Sequence, residues 1–310
     1  MTRAPSARAT VAVIVAAVLL PLSSLAGAPA AVAASTTTTV STFGGTGVYE
    51  PSGLVESRQN PGMFFSHNED RKNLLLIGPS GVAAQYSLPF SFPSPMTRSD
   101  AFDWEDIAVG PCPSGRCVFV ADTGKVSGTF PAGFQRSTFA MYRVPEPRYG
   151  TTPNGARLTG LERFPFRYPD GSYDAEAMVV HPRTGTVYVL TKAAGTTRVY
   201  RFPQKLTRDA VVTLQFVAQI TLPSSTSRVT GADVDAMGTK LLLRTYTSVL
   251  EYTASSGGAF ETVFSAAPKV LTNVKERQGE SIAYRADGAA YYTVDEQPTN
   301  GVWSIRRVVR

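Results

Sequence analysis

Five residues with oxygen-bearing side chains, Ser52, Glu105, Glu176, Thr230 and Glu280, each stand at the head of a short apolar run. The runs are Pro51-Ser52-Gly53-Leu54-Val55, Trp104-Glu105-Asp106-Ile107-Ala108, Ala175-Glu176-Ala177-Met178-Val179, Thr230-Gly231-Ala232-Asp233-Val234 and Gly279-Glu280-Ser281-Ile282-Ala283. If the chain gathers these equivalent positions around one axis, they form a ring of oxygens. Two carboxylates about 5 Å apart repel by roughly 3 kcal/mol at an effective dielectric near 20, and three are worse. Such a ring must hold protons or a cation. All-oxygen ligands suit a hard ion, and Ca²⁺ tolerates irregular geometry. With no sulfur and no imidazole in the set, zinc and copper are disfavoured. The competing reading is that each Glu caps a strand or accepts a backbone hydrogen bond in its own repeat.

The elements that must position these residues repeat with them. The five key positions lie 53, 71, 54 and 50 residues apart. A period near fifty, each unit holding several short β-rich runs, is the signature of a propeller blade. The expected fold is all-β: a five-bladed β-propeller, with six blades as the alternative if the long second interval hides another unit. In the fourth unit the four strands are expected near Asp233-Val234, Lys240 to Arg244, Ser248 to Tyr252 and Phe260 to Ser265; in the third the last is expected over Val211 to Leu222. The fifth unit has three runs only, and the β-branched segment Thr36 to Thr42 has no partner of its own. Adding that segment to the last blade closes the ring and hides an edge. The second interval carries two loops, Gly124 to Arg136 and Pro145 to Gly155; loops of this length are commonly functional or mobile.

Composition and the first residues bound the rest. Arg3 and Arg8 precede an apolar run, Val11 to Leu20, too short to span a bilayer, and Ala31-Val32-Ala33 fits a cleavage site. Residues 1–34 therefore read as a secretory signal peptide, with an uncleaved anchor as the alternative, and 35–310 as a single propeller domain, secreted and extracellular. Without Arg3 and Arg8 the net charge falls from +6 to +4, scattered along the chain. Neither nucleic acid nor, after signal removal, a membrane is a required partner, and the protein is expected to be a monomer. Cys112 and Cys117, flanking a Pro-Ser-Gly turn, are the only cysteines. Outside the cytoplasm they read as a disulfide pinning one hairpin, and no second Cys/His pair exists to complete a zinc site.

Propeller geometry also sorts the polar residues. The first strand of a blade opens on the face where the second closes, and the second strands end in His67-Asn68-Glu69-Asp70, Asp122-Thr123, Thr191-Lys192, Arg244-Thr245-Tyr246 and Asp295-Glu296. Both charge signs thus converge beside the oxygen ring. Lys192 and Arg244 could clamp a phosphate or carboxylate; alternatively they are solvated strand-end charges. His67, with Asp122 or Glu69, could act as a general base, and Asp295 or Glu296 could manage water; a lone turn histidine is the other reading. Trp104 could stack a ligand or anchor blade packing, and His181, beside Pro182, reads as structural. No nucleophile elbow and no phosphate-cradling glycine loop is present.

The series Ser52, Glu105, Glu176, Thr230, Glu280 resembles that of soluble calcium-activated nucleotidases (apyrases), five-bladed propellers whose central Ca²⁺ is held by a Ser, Glu, Glu, Ser, Glu series, one per blade. Thr230 keeps the hydroxyl at the fourth position. The resemblance implies five blades and a tunnel Ca²⁺; the substrate-binding residues of that family have no counterpart here. The phrases Asp103-Trp104-Glu105-Asp106-Ile107-Ala108 and Tyr168-Pro169-Asp170-Gly171-Ser172-Tyr173-Asp174-Ala175-Glu176-Ala177 are also similar to secreted bacterial propellers of unassigned activity, some called phytase- or esterase-like, an analogy of fold. Two functions follow as expectations: a Ca²⁺-binding extracellular module that takes a small anionic ligand or an extracellular partner on its central face, or a Ca²⁺-dependent hydrolase of a phosphoester or phosphoanhydride.

Overall fold

Among the described residues, twenty-one strands form five antiparallel sheets of four strands, one of them extended by a short fifth that pairs in parallel. The computed structural model describes residues 1–2, 36–68, 72–90, 103–125, 136–298 and 300–310, and everything below belongs to the unit Ser35–Arg310. The expected signal segment, Glu69, Asp70 and nearly all of the loop 124–136 lie outside the described residues. Among those described, no helix is long and apolar enough to cross a membrane.

In chain order, β1 (Thr37–Gly44) precedes blade one, which is β2 (Pro51–Glu56), β3 (Phe64–Asn68), β4 (Asn73–Gly78) and β5 (Gly81–Ser87). Blade two is β6 (Trp104–Cys112), β7 (Gly115–Asp122), β8 (Phe139–Pro145) and β9 (Glu162–Arg167). Blade three contains β10 (Ala175–Val180), β11 (Val187–Thr191) and β12 (Thr196–Arg201); after β13 (Val212–Thr213) comes its outer strand, β14 (Gln215–Thr221). Blade four is β15 (Val229–Val234), β16 (Lys240–Thr245), β17 (Val249–Thr253) and β18 (Lys269–Leu271). Blade five, β19 (Gly279–Tyr284), β20 (Ala290–Asp295) and β21 (Val302–Val309), is completed by β1, paired antiparallel from Thr37 opposite Val308 to Gly44 opposite Val302. The fold is thus a five-bladed propeller closed by its N-terminal strand.

The core lies between blades, which explains why the middle strands are apolar on both faces. Leu74 and Leu76 of β4 pack with Ile107 and Val118 of blade two, whereas Leu75 and Ile77 pack with Ala283 and Trp303 of blade five. The same alternation sends Leu241 and Leu243 towards blade three and Leu242 towards blade five. Buried polar clips join the blades as well. Asp106 accepts the Met178 amide at 2.8 Å, Asp233 accepts the Tyr284 amide at 2.7 Å, and the His181 ring meets the Gly238 carbonyl at 3.3 Å. Ser41 of β1 donates to the carbonyl of Gly78 at 2.7 Å, tying the closing strand to blade one. Ser41→Ala should therefore cost about 1 kcal/mol in urea denaturation, and an unchanged midpoint would show that this bond contributes nothing to closure.

Two strand assignments are corrected. Phe260–Ser265 is a 3₁₀ helix, not the fourth strand of blade four: Phe260, Val263 and Phe264 recur at helical spacing and pack beneath Tyr188. The strand role falls to Lys269–Leu271. Within Val211 to Leu222, β13 leaves blade three to pair in parallel with β9 of blade two. Among the described residues of the 71-residue interval there is no sixth blade. The connection from β8 to β9, which takes in the second loop and runs on to residue 161, covers the open edge of blade one, Ser87 donating to the Ala156 carbonyl and Leu158 to that of Ser87, and Glu146 accepts from the Ser57 hydroxyl and the Arg58 and Gln59 amides. Cys112 and Cys117, with Cα atoms 5.9 Å apart, are bonded across the β6–β7 hairpin.

Candidate functional site

Every innermost strand breaks register where its key residue stands. The shifts fall between Ser52 and Val55, Trp104 and Asp106, Ala175 and Ala177, Val229 and Gly231, and Gly279 and Ser281. Glu105, Glu176, Thr230 and Glu280 are each the extra residue of a β-bulge, which takes them out of the ladder and re-aims their side chains. In blade one two residues, Gly53 and Leu54, stand opposite the single residue Ser66. Gly53 has φ +64°, and a Cβ there would lie 2.9 Å from Nε2 of His67, so only glycine fits this bulge. The register also carries the second-strand ends to the same face: Ser52 faces His67, Trp104 faces Asp122, Ala175 faces Thr191 and Gly279 faces Asp295.

The five key residues divide by chemistry. The hydroxyls of Ser52 and Thr230 donate to the carbonyls of Glu105 and Gly279 of the following blade, each at 2.8 Å, and neither residue lines the cavity described next. The three glutamates do. Glu105, Glu176 and Glu280 open into a cavity of about 390 Å³ shared with Glu50, Asp103, Asp174, Glu296, Lys125, Lys192, Gln278 and Gln297. Seven carboxylates face two ammonium groups there, so the cavity favours cations.

Within it, Glu105, Asp174 and Glu176 each bring one carboxylate oxygen within 4.8 Å of the others. One oxygen of Glu176 is ion-paired to Nζ of Lys192; the other, Oε2, is buried without a hydrogen-bond partner. A Cβ on Gly124 would fall 2.0 Å from Oε1 of Glu105 and 2.4 Å from Oδ2 of Asp103. The backbone can close over these carboxylates only because that residue is glycine. Asp174 is held by the Lys125 amide at 2.8 Å. Burial raises the Glu176 carboxyl, and the Lys192 ammonium paired with it pulls the other way. Burial likewise pushes Asp103 up to about 6, opposed by Arg136. Glu280 is raised by burial too, opposed by Lys192, and accepts from the Tyr246 hydroxyl at 2.9 Å and Gln278 at 3.1 Å. Burial works against the Lys192 ammonium, but the adjacent Glu176 charge outweighs it and keeps the group protonated.

The other residues singled out from the sequence lie elsewhere or are otherwise engaged. Arg244 is fully buried, ion-paired to Glu276 and donating to the Ser281 carbonyl at 3.0 Å, which puts it beyond reach of a substrate. Trp104 is fully buried in the core between blades one and two, against His67 and Phe90, so it packs rather than stacks a ligand. His67 is also fully buried, and burial lowers its pKa to about 3; it is a neutral core residue and no exposed base. Asp122, 2.7 Å from Arg136, accepts the Asp103 amide at 3.1 Å and so holds the chain leading to Glu105. Asp295 accepts the amides of Arg277, Gln278 and Gln297, a turn staple, whereas Glu296 does line the cavity. Asp103 and Asp174, absent from the expected ring, bear a signal that was there to read: two successive blades carry Asp-x-Glu, as Asp103-Trp104-Glu105 and Asp174-Ala175-Glu176.

No protein-family model and no curated protein matches the chain. Among solved structures, the β-propeller domain of Cps50 (Swd1) from Myceliophteria thermophila is similar over 83% of each chain, at 11% identity and a TM-score of 0.41.

Proposed function

We propose that this protein is a cation-dependent binding module whose central face holds a hard divalent ion, Ca²⁺, on Glu105, Asp174 and Glu176. The observation that carries this reading is the buried, partnerless Oε2 of Glu176 beside two further carboxylates within 4.8 Å. An unpaired carboxylate oxygen removed from water is costly unless a cation meets it. The donors are oxygens throughout, which fits Ca²⁺ and not a metal that selects sulfur or imidazole. Bound there, the ion would offer its remaining coordination positions to oxygens of a ligand. The leader-like residues 1–34 support export, and extracellular modules bind Ca²⁺ with Kd values of about 10⁻⁴ to 10⁻³ M. The likeness to the apyrase series reduces to its three glutamates, since the hydroxyls of Ser52 and Thr230 turn to the neighbouring blade's backbone.

Hydrolysis of an anionic substrate has no observation in its favour. The anion clamp it requires is taken up, Lys192 by Glu176 and Arg244 by Glu276, and the cavity around Lys192 is predominantly acidic. The binding reading is tested by melting. At a hundred-fold excess over its Kd, Ca²⁺ should stabilise the protein by about 2.7 kcal/mol, roughly 5–10 °C in Tm, and Glu176→Gln should remove the response. Coincident melts of the unaltered protein in Ca²⁺ and in chelator would end the proposal.

A further inference from the structure

We infer that Lys192 is a tethered competitor for the cation site, displaced onto Glu280 and the face of Tyr246 when a divalent ion binds Glu105, Asp174 and Glu176. The inference rests on the cation-binding reading above and names what sets the threshold and charge selectivity of that site.

Lys192 has two berths in the cavity. Its Nζ now pairs with Oε1 of Glu176, a member of the carboxylate triad. The second berth lies beside it and outside the triad: Oε1 of Glu280 is 3.8 Å from Nζ, and the Tyr246 ring centroid is 5.3 Å away. An aromatic face attracts an ammonium group, and the hydrogen bond from the Tyr246 hydroxyl to Glu280 holds the two parts of this berth together. The Lys192 side chain is 16% exposed, so the move needs no opening of the blade. Its backbone is fixed meanwhile by the bond from the Lys192 amide to the carbonyl of Asp174, a triad member, at 2.8 Å, which keeps the root of the side chain beside the site.

Tethering decides which ions can compete. A monovalent ion brings the charge the ammonium already supplies and must also overcome the high effective concentration of a group on the same chain. A divalent ion brings twice the charge to the triad and repels the ammonium towards Glu280. Lys192 thus favours divalent over monovalent cations and weakens the affinity for both.

Calorimetric titration of the protein with CaCl₂ and NaCl, beside Lys192→Met, tests this. The variant should bind Ca²⁺ at least tenfold more tightly than the unaltered protein and should show Na⁺ competition that the latter lacks. Ca²⁺ binding to the unaltered protein with equal or weaker affinity in the variant would overturn the inference and leave the cation reading standing; binding to neither would sink both. A readout on the unaltered protein covers a variant that fails to fold. Acetylation of Lys192 by acetic anhydride, quantified by mass spectrometry against exposed Lys269, should rise several-fold when Ca²⁺ is added. Unchanged or reduced labelling means that Lys192 is a fixed structural counter-ion, and the inference falls.

Discussion

Glu276→Gln is expected to destabilise the propeller by about 3–5 kcal/mol, more than the loss from Arg244→Met, although the two residues form one ion pair. The asymmetry comes from what each change leaves behind. Glu276, in the segment between β18 and β19, has no exposed side-chain surface and receives Arg244, Nη1 of Arg306 at 3.0 Å and the Thr293 hydroxyl at 3.0 Å. Without its charge, Arg244 is stranded: a guanidinium with no exposure whose remaining bond here is to the Ser281 carbonyl. Removing Arg244 instead leaves Glu276 paired with Arg306, which is one-third exposed, and a methionine fills much of the vacated volume. Urea denaturation of both variants measures the order. Equal losses, or a larger one for Arg244→Met, would show that the Arg244–Glu276–Arg306 cluster is not organised around the carboxylate.

Arg244 also shows where sequence reasoning stops. It ends the run Leu241-Leu242-Leu243-Arg244 and reads as a charge at a strand end; its partner lies 32 positions away in a segment with no periodicity of its own. The blade number, by contrast, was legible, because the fifty-residue spacing and the unpartnered N-terminal strand both follow from burial repeating with the turns. The bulges were not. A register slip needs two strands to be seen, and each key residue looks from its own strand like an ordinary member of the ladder. Without the bulge the face of each side chain is misjudged, and so a five-membered ring was expected where three glutamates and two flanking aspartates converge. The same blindness applies to His67. Its strand, Phe64-Phe65-Ser66-His67-Asn68, ends in polar residues as an exposed strand end would, while Trp104 of the next blade covers it.

That cover has a consequence in acid. The folded protein holds His67 neutral, with a pKa lowered to about 3 by burial, against 6.5 for the free side chain. Below pH 6.5 the unfolded chain takes up a proton that the folded chain refuses, so the contribution of His67 is complete above 6.5 and is lost as pH falls towards 3. The full gap amounts to about 5 kcal/mol, at up to about 1.4 kcal/mol per pH unit, and about 4 kcal/mol of it falls between pH 6.5 and 3. Buried carboxylates act in the opposite sense. Burial raises Asp106 and Asp122, and raises Asp233 to about 6; each binds its proton more readily in the fold, so acidification through these values favours the folded state. The total profile mixes the two, and the difference between the unaltered protein and His67→Gln isolates the histidine. From pH 6.5 down to 3 the variant should lose about 4 kcal/mol less than the unaltered protein, closing whatever gap separates them at neutral pH. Parallel urea-denaturation profiles for the two proteins across that range would mean that His67 does take up a proton in the folded state, and its place between Gly53 and Trp104 would then have to admit water.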